Sequence, residues 1–262
     1  MDYKKIKYAV HEGIASLTMN SPGNLNVFDE DMVSDLLMAF DAAEKDKNVR
    51  VIILSGEGRA FSGGGDIGYM NEGLKNNTLD LGKLLELLCQ LAVKIKKIPK
   101  PVIASVNGAA AGAGFCAALL CDFCIAAENA RFIQAFVNLG LIPDTGGAYL
   151  LSKAIGVNRA MDLIMTGRVV TATEAKELGI VTQVVPAEQL EEATLNLARK
   201  LACGPANAYA NMKKIMYQVN FSDFEEYLEM EKAYQLECSK SEDFKEGVTA
   251  FVEKRKPEFK GI

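Results

Sequence analysis

Apolar and polar positions divide the first third of the chain into short, distinct segments. Residues 3–19 alternate apolar and polar side chains on either side of His11-Glu12-Gly13, as a β-hairpin does. Residues 29–46 repeat apolar side chains at helical spacing after an acidic first turn, and residues 49–58 form an apolar run closed by glycines. The pattern predicts a hairpin, a helix and a buried strand, in that order.

The middle of the chain continues this alternation. Residues 81–99 are amphipathic and end at a proline, 101–108 repeat the buried-strand pattern, 109–120 predict a helix rich in small residues, and 121–128 predict another strand. The mixed polarity of residues 67–84 predicts a mobile loop before the helix. Strands that alternate with helices favour βαβ units, so we expect an α/β protein with a mostly parallel sheet.

The pattern changes after Leu151, where helices follow one another. Residues 156–167 and 171–179 predict helices, 180–185 one brief strand, and 187–255 long amphipathic helices. We expect residues 1–195 to form a core that carries the binding site. Residues 196–262 are expected to form a helical region that packs on the core or on a neighbouring subunit.

Composition and charge exclude several classes of protein. The 262 residues are 49% hydrophobic and carry a net charge of −5, with lysines and arginines scattered along the chain. A nucleic-acid-binding protein would show a basic patch, and a membrane protein would show a long apolar span; neither pattern is present. The first residues lack the apolar core of a secretory leader, so we expect a cytoplasmic protein.

Cysteine and histidine chemistry is limited. Cys121 and Cys124 form a C-x-x-C motif, but a zinc site needs a second ligand pair, and we interpret the six cysteines as reduced core thiols. The single histidine, His11, lies in the predicted hairpin turn, which excludes Ser-His and Cys-His catalytic pairs. We therefore expect no metal, and acid–base chemistry is left to carboxylates, lysine or tyrosine.

Two glycine-rich turns follow predicted strands. Residues 59–67 read RAFSGGGDI, and residues 107–117 read NGAAAGAGFCA. The second contains G-x-G-x-x-A, but it begins four residues after Gly108 and lacks the acidic partner of a dinucleotide site, so a nicotinamide oxidoreductase is the least favoured function. One backbone N–H from each turn could instead form an oxyanion hole. Such a device suits proton abstraction next to a carbonyl group.

Asp144 stands alone between an apolar run and two glycines in LGLIPDTGGAYLL. Asp144 or Thr145 could cap the helix that follows, because short polar side chains accept the free N–H groups of a first turn. Alternatively, an apolar surrounding could raise the pKa of the Asp144 carboxyl and make it a catalytic base. The local pattern alone leaves both interpretations open.

Several spaced motifs along the whole chain resemble one family. They are RAFSGGGDI, PVIASVNGAAAGAGFCAALLCDFCIA, FVNLGLIPDTGGAYLL, RAMDLIMTG, A-x-E-A-K-E-L-G-I-V and AFVEKRKPEFKG. Together they resemble the enoyl-CoA hydratase/isomerase (crotonase) superfamily. The resemblance implies an α/β fold with a spiral core of ββα units and a C-terminal helical trimerisation region. It also implies acyl-CoA thioester substrates, no cofactor beyond the CoA of the substrate, and a homotrimer or a dimer of trimers.

The resemblance also assigns roles to individual positions. It places the oxyanion-hole N–H groups at Gly65 and Ala113, with Gly112 and Gly114 shaping the second turn. The CoA-binding positions that it implies are Leu25, Asn26, Val27, Ser62, Gly63, Asp66, Ile67, Phe251 and Lys254.

The departures from the family pattern narrow the expected reaction. Typical hydratases of the family carry two glutamates where this chain has Cys116 and Phe136, whereas Asp144 matches the single acid of the isomerase-like members. Hydration of a double bond generally needs two titratable groups, one to activate the water and one to protonate the carbon on the other side. We therefore expect an isomerase that converts 3-enoyl-CoA to 2-enoyl-CoA, with Asp144 as acid and base behind an apolar wall of Phe136, Leu141 and Ile142.

Three alternatives remain beside the isomerase. A hydratase or a hydrolase could use Asp144 alone on an alicyclic or aromatic-derived CoA ester. A homologue could also bind CoA esters without turnover, with Asp144 serving only as a helix cap.

Tyr149, one turn into the helix after Asp144, could face the pocket, but ordinary burial of aromatic residues favours a place in the core.

Overall fold

The computed structural model describes residues 2–262. Its ten strands are short, as expected for strands between helices. They are β1 (Ile6–His11), β2 (Ile14–Met19), β3 (Val51–Gly56), β4 (Ala60–Ser62), β5 (Val102–Val106), β6 (Ala109–Ala111), β7 (Phe123–Ala127), β8 (Arg131–Ile133), β9 (Val169–Thr171) and β10 (Gln183–Val185).

The larger sheet has six strands in the order β1-β2-β3-β5-β7-β10. Every neighbouring pair is parallel except the β1–β2 hairpin, in which His11 pairs with Ile14. Glu12 and Gly13 form its turn with φ values of 50° and 79°, as a tight hairpin turn requires. The predicted hairpin and the mostly parallel sheet are therefore confirmed, and His11 lies exposed at this turn.

The smaller sheet has four short strands in the order β4-β6-β8-β9. The strands β4, β6 and β8 follow β3, β5 and β7 after short turns, so the chain passes from the larger sheet to the smaller sheet three times in the same way. Only β8 and β9 are antiparallel. The sequence pattern did not predict these three-residue strands, because so short a segment carries no measurable period.

Eleven α-helices are present in residues 2–262 and cover the sheets. They are α1 (Glu30–Lys45), α2 (Ile67–Asn76), α3 (Gly82–Lys97), α4 (Ala113–Leu120), α5 (Gly147–Ile155), α6 (Val157–Thr166), α7 (Ala172–Glu177), α8 (Leu190–Ala202), α9 (Ala206–Asn220), α10 (Phe224–Cys238) and α11 (Glu242–Glu253). The last helices are not a detached appendage, because Phe224, Leu228, Phe244 and Val248 belong to the main hydrophobic core.

The loop predicted for residues 67–84 is wrong except at residues 77–81, which join α2 to α3. Residues 67–76 form α2, which begins where the Asp66 carboxylate accepts the Tyr69 N–H at 3.0 Å. Met70 and Gly73 are its buried face, and Asn77 ends it in the left-handed conformation with φ 53°. The Asp66 cap and the packing of the two buried residues stabilise this helix. Two buried positions are too few to give a helical pattern in the sequence, which is why the helix was not predicted.

All six cysteines are free, but the prediction that they are core thiols is confirmed for only four of them. Those four, including Cys121 and Cys124, are buried, whereas Cys238 is half-buried and Cys203 is exposed. Burial raises the pKa of the Cys124 thiol to about 12, and no metal-binding group of histidine, cysteine or carboxylate side chains occurs in residues 2–262. Within the same residues, no helix is both long enough and apolar enough to cross a membrane.

Candidate active site

A narrow apolar cavity lies between the two glycine-rich turns, helix α3 and the segment that carries Asp144. Its free volume is about 60 Å³. Asp144 is the only charged side chain on its wall in the part of the chain that the structure describes. The lining residues are Phe28, Gly63, Gly64, Gly65, Ile67, Met70, Leu81, Leu84, Leu85, Leu88, Gly112, Ala113, Ala135, Phe136, Leu139, Leu141, Asp144 and Gln235.

The two glycine-rich turns lie in direct contact with each other. A Cβ atom on Gly64 would stand 2.7 Å from the Ala111 carbonyl oxygen and 3.6 Å from the Ala113 nitrogen. Gly64 also has φ 90°, a conformation that other residues rarely adopt. The small residues of the two turns thus allow two backbone segments to approach each other at the cavity.

Gly65 and Ala113, which the resemblance assigns to the oxyanion hole, both line this cavity. Ala113 is the first residue of α4, where N–H groups have no acceptor within the helix and the helix dipole favours negative charge. Gly112 precedes it with φ 50° and turns the chain into the helix. The arrangement places the two backbone segments beside one small space, and their role as an oxyanion hole stays a prediction.

Asp144 lies in a tight segment between a 3₁₀ turn over residues 135–139 and helix α5. Its Oδ1 accepts the Thr145 hydroxyl at 2.8 Å, and its Oδ2 accepts the Gln235 side-chain amide at 3.4 Å. Burial raises the pKa of the Asp144 carboxyl to about 6, although both hydrogen bonds oppose the rise by favouring the charged form. Asp144 can therefore both accept and return a proton near neutral pH.

The interpretation of Asp144 as the cap of the following helix is wrong. The residue that precedes α5 is Gly146, with φ 77°, and no side chain caps this helix. The Asp144 backbone carbonyl accepts the Gly147 N–H at 2.8 Å, while its side chain points to other partners. The carboxylate is thus available on the cavity wall.

Helix α10 supplies two side chains that sequence reasoning missed. Gln235, 1% exposed, accepts the Ile142 N–H through Oε1 at 3.0 Å and donates to Asp144. Glu231, 3% exposed, accepts the Gly146 N–H at 2.9 Å. One feature of the sequence could have indicated that these two side chains are buried. Glu231 and Gln235 lie at helical spacing on the same face as the apolar residues Phe224 and Leu228.

The two positions where hydratases carry glutamates differ in their surroundings. Phe136 lines the cavity, 7% exposed. Cys116 is fully buried behind it, and its sulfur lies 3.8 Å from the Gln134 side-chain nitrogen. Burial, with a smaller effect from the charge of Asp144, raises the pKa of the Cys116 thiol well above its ordinary value. Neither position offers a second proton carrier to the cavity.

The predicted apolar wall is mostly present. Leu141 joins Phe136 on the cavity wall, but Ile142 does not line it, and its N–H is held by Gln235. Tyr149 is buried, and its hydroxyl donates to the Asp223 carboxylate at 2.5 Å, with the Asn220 carbonyl oxygen as a second acceptor at 3.0 Å for the same hydrogen. The prediction that Tyr149 belongs to the core is therefore confirmed.

The positions expected to bind CoA occupy different environments. Gly63 and Ile67 line the cavity. Asn26 and Ser62 are fully buried: the Asn26 amide donates to the Glu57 and Ala60 carbonyls, and the Ser62 hydroxyl donates to the Asn26 carbonyl. Their side chains hold together the strand ends beneath the cavity, so a ligand would meet the backbone there.

The remaining CoA positions lie outside the cavity wall. Leu25 has φ 61°, and its carbonyl accepts the Gly63 N–H at 2.7 Å, which joins its segment to the first glycine-rich turn. Val27 is half-buried, and Asp66 caps α2. Phe251 is 59% exposed near the end of α11, and Lys254 ends that helix. Their role in CoA binding stays a prediction.

A family model described as enoyl-CoA hydratase/isomerase matches residues 9–262. The chain belongs to the enoyl-CoA hydratase/isomerase family. A trans-2-decenoyl-acyl-carrier-protein isomerase of Streptococcus mutans serotype c is 41% identical to this chain over 262 residues, covering 100% of both. A 1,2-epoxyphenylacetyl-CoA isomerase of Escherichia coli is 39% identical over 253 residues, covering 96% of this chain and 97% of the relative.

Solved structures agree with the family assignment. An enoyl-CoA hydratase from Mycobacterium avium subsp. paratuberculosis superposes with a TM-score of 0.90 at 33% identity, over 99% of this chain and 100% of that one. The predicted α/β crotonase fold is therefore confirmed. This family member is an enzyme of acyl-CoA double-bond isomerisation or hydration, and the names of its relatives include both reactions.

Proposed function

We propose that this enzyme moves a double bond between positions 3 and 2 of an enoyl-CoA thioester. The observation that carries the proposal is the single carboxylate, Asp144, on an otherwise apolar cavity wall beside the two glycine-rich turns. An allylic proton shift needs one group that removes and returns the same proton. Hydration generally needs two groups, one for the water and one for the carbon.

The proposed reaction begins at carbon 2 of the 3-enoyl thioester. The Asp144 carboxylate takes a proton from this carbon, and the electron pair of the broken C–H bond delocalises to the thioester oxygen and to carbon 4. The protonated Asp144 then returns the proton to carbon 4, and the double bond forms between carbons 2 and 3. No atom is gained or lost, so the reaction requires no water and no co-substrate.

The negative charge of the dienolate oxygen needs stabilisation during this shift. In the proposal, the N–H groups of Gly65 and Ala113 donate to that oxygen, and the dipole of α4 assists from the Ala113 side. A single donor of this kind contributes roughly 3 to 4 kcal/mol in oxyanion holes. The apolar wall formed by Phe136 and Leu141 excludes water, which keeps Asp144 basic.

The substrate chain that best fits the cavity is aliphatic and unbranched. Leu81, Leu84, Leu85 and Leu88 line it from α3 and the residue before it, at the spacing of one helix face. No polar side chain of the described residues, apart from Asp144 and Gln235, reaches this wall. The narrow, leucine-lined space favours a straight alkenyl chain over a ring.

The names of two relatives also support an isomerase. One is a trans-2-decenoyl-acyl-carrier-protein isomerase, and the other is a 1,2-epoxyphenylacetyl-CoA isomerase. Because a catalyst accelerates a reaction in both directions, an enzyme named for a 2-enoyl substrate is compatible with the 3-enoyl direction proposed here.

Incubation of the purified protein with 3-hexenoyl-CoA in deuterated water tests the proposal. We expect conjugation, seen as the ultraviolet absorbance of a 2-enoyl thioester, with no mass gain from added water. Asp144→Asn should lose activity by about 10²- to 10⁴-fold, the usual contribution of a general base. A hydroxyacyl product would instead establish a hydratase.

A binding measurement distinguishes a CoA-ester binding protein without turnover from an inactive preparation of the enzyme. Calorimetric titration with saturated hexanoyl-CoA measures thioester binding independently of turnover. Binding without conversion of hexenoyl, alicyclic or aromatic CoA esters would contradict the proposal and leave a CoA-ester binding protein. Conversion of the ring substrates alone would contradict the aliphatic assignment.

A further inference from the structure

Helix α10 places two polar side chains in the protein interior, one turn apart, behind the catalytic segment. Glu231 and Gln235 are 3% and 1% exposed and share one helix face with the core residues Phe224 and Leu228. Buried carboxyl and amide groups are costly unless they are hydrogen-bonded. Three of their hydrogen bonds lead to the segment 142–146, which carries Asp144, and the Glu231 carboxyl also accepts the Tyr227 hydroxyl.

Gln235 binds this segment at two points. Its Oε1 accepts the Ile142 N–H at 3.0 Å, and its Nε2 donates to Asp144 Oδ2 at 3.4 Å. The first contact fixes the orientation of the amide, because only the Nε2 end is then left to face the carboxylate. Gln235 thus presents a fixed donor to one oxygen of the proposed base.

The segment 142–146 has a backbone that needs such support. Thr145 has φ 58°, an unfavourable conformation for a β-branched residue, and Gly146 follows with φ 77°. Strained conformations persist only where surrounding contacts determine them, and they cluster at functional sites. The Glu231 carboxyl accepts the Gly146 N–H immediately after the strained residue.

We propose that Gln235 and Glu231 are positioning residues that hold the Asp144 carboxylate at the cavity, Gln235 by direct donation to Oδ2 and Glu231, as a neutral acid, through Gly146. The inference rests on the proposed role of Asp144 as the base. Gln235 also favours the charged form of Asp144, which keeps the base available.

The neutral state of Glu231 follows from its surroundings. The Glu231 carboxyl is buried, and its hydrogen-bond partners, the Gly146 N–H and the Tyr227 hydroxyl, are both neutral, so a buried charge there would have no opposite charge beside it and would be more costly than a neutral acid. Burial raises the pKa of Glu231 to about 8, and the charge of Asp144 adds to the rise. The titratable groups that face the pair are Cys89 on α3, Cys116 on α4 and Tyr227 on α10. Because the pKa values of the other groups are all raised above that of Asp144, Asp144 is the first of them to ionise as the pH rises.

Gln235→Met tests the direct contact, because methionine keeps the length of glutamine and removes both hydrogen bonds. We expect kcat to fall about 10- to 100-fold, the usual effect of losing a hydrogen bond to a charged group, with KM almost unchanged. The same substitution at the exposed Gln90 on α3 is the matched control and should leave both constants as in the wild type.

Glu231 is tested by comparing two substitutions. Glu231→Gln keeps an oxygen that can accept the Gly146 N–H, whereas Glu231→Leu does not. We expect the glutamine variant to retain most of the kcat that the leucine variant loses. Equal losses in the two variants, with both proteins folded by circular dichroism, would overturn the role of Glu231 as a neutral anchor.

Carbon-13 nuclear magnetic resonance of labelled aspartate provides a readout that does not depend on activity. Asp144→Asn identifies the Asp144 carboxyl signal, and its titration is then followed in the wild type, Gln235→Met and Gln90→Met. Loss of the Gln235 donor should move the titration midpoint of Asp144 to higher pH, with Gln90→Met unchanged. An unchanged midpoint in Gln235→Met would overturn the inference even if the enzyme is an isomerase, whereas a wild type without isomerase activity would overturn the proposed function alone.

Discussion

Gly114, in the first turn of α4, packs directly against Ser62 at the end of β4. A Cβ atom on Gly114 would stand 2.6 Å from Ser62 Cβ and 2.8 Å from the Ser62 carbonyl oxygen. Ser62 cannot yield easily, because it is fully buried and its hydroxyl donates to the Asn26 carbonyl. The contact sets the separation of the two turns that carry Gly65 and Ala113.

Gly114→Ala should therefore damage both folding and catalysis. The added methyl group must push the turns apart, and we expect a loss of about 1 to 3 kcal/mol in the free energy of unfolding, as for other overpacked sites. Misplaced donors should also lower kcat by more than the stability loss explains. Urea unfolding and steady-state kinetics measure the two effects.

Gly23→Ala is the control for this substitution. Nothing lies within 4 Å of a Cβ atom at Gly23, and its φ is not positive. The free energy of unfolding should change little, as for ordinary surface substitutions. Full activity in Gly114→Ala would show that the contact with Ser62 does not set the geometry of the oxyanion hole.

The pH dependence of the rate should report Asp144. The carboxyl has a pKa of about 6, raised by burial, and the base acts only when it is ionised. We expect kcat/KM to fall about tenfold for each pH unit below this value and to level off above it. Measurement of kcat/KM with 3-hexenoyl-CoA over this range checks the prediction, and the residual rate of Asp144→Asn should lack this acidic limb.

The pH dependence of stability should report Glu231. Its pKa is raised from 4.5 to about 8 in the folded protein, so the folded state holds a proton that the unfolded chain releases between these values. The free energy of unfolding should therefore fall as pH rises through this window, by up to about 1.4 kcal/mol per pH unit.

Glu231→Gln removes this titration and should flatten that dependence. Asp144, whose folded-state pKa is also raised, contributes a fall of the same sign, between 3.8 and about 6. The difference between the variant and the wild type should consequently grow towards pH 8. Urea unfolding of both proteins across the window measures it, and parallel curves would mean that Glu231 is ionised throughout.

Chain-length preference should depend on the leucines of α3. Leu88 lines the cavity and is 2% exposed. Leu88→Ala should lengthen the space and raise kcat/KM for longer enoyl-CoA substrates relative to hexenoyl-CoA by about tenfold or more, since one methylene in an apolar pocket has effects of that size. We also expect a stability loss of about 2 to 5 kcal/mol.

Leu91→Ala separates specificity from stability. Leu91 is fully buried on the same helix but does not line the cavity. The Leu91→Ala variant should lose about as much stability as Leu88→Ala while keeping the wild-type order of preference among chain lengths. A shared change in preference would indicate that the helix moves as a whole and that Leu88 is not a specific contact.

Local patterns predicted most of the elements that surround the site. The hairpin at His11, the buried strands β3, β5 and β7, and helices α1, α3 and α4 follow from periodicity and from glycine or proline boundaries. Helix α2 and strands β4, β6, β8 and β9 escaped prediction, because short elements are stabilised by packing and carry little pattern of their own.

The sequence by itself determined the chemical groups of this protein: one histidine in a turn, two glycine-rich segments, and Asp144 in an apolar context with Cys116 and Phe136 at the hydratase positions. Only the tertiary structure decided which of them meet. Gln235 bonds to Asp144 from 91 positions away, and Glu231 to Gly146 from 85. Contacts over such separations depend on how helices pack, which local periodicity does not contain.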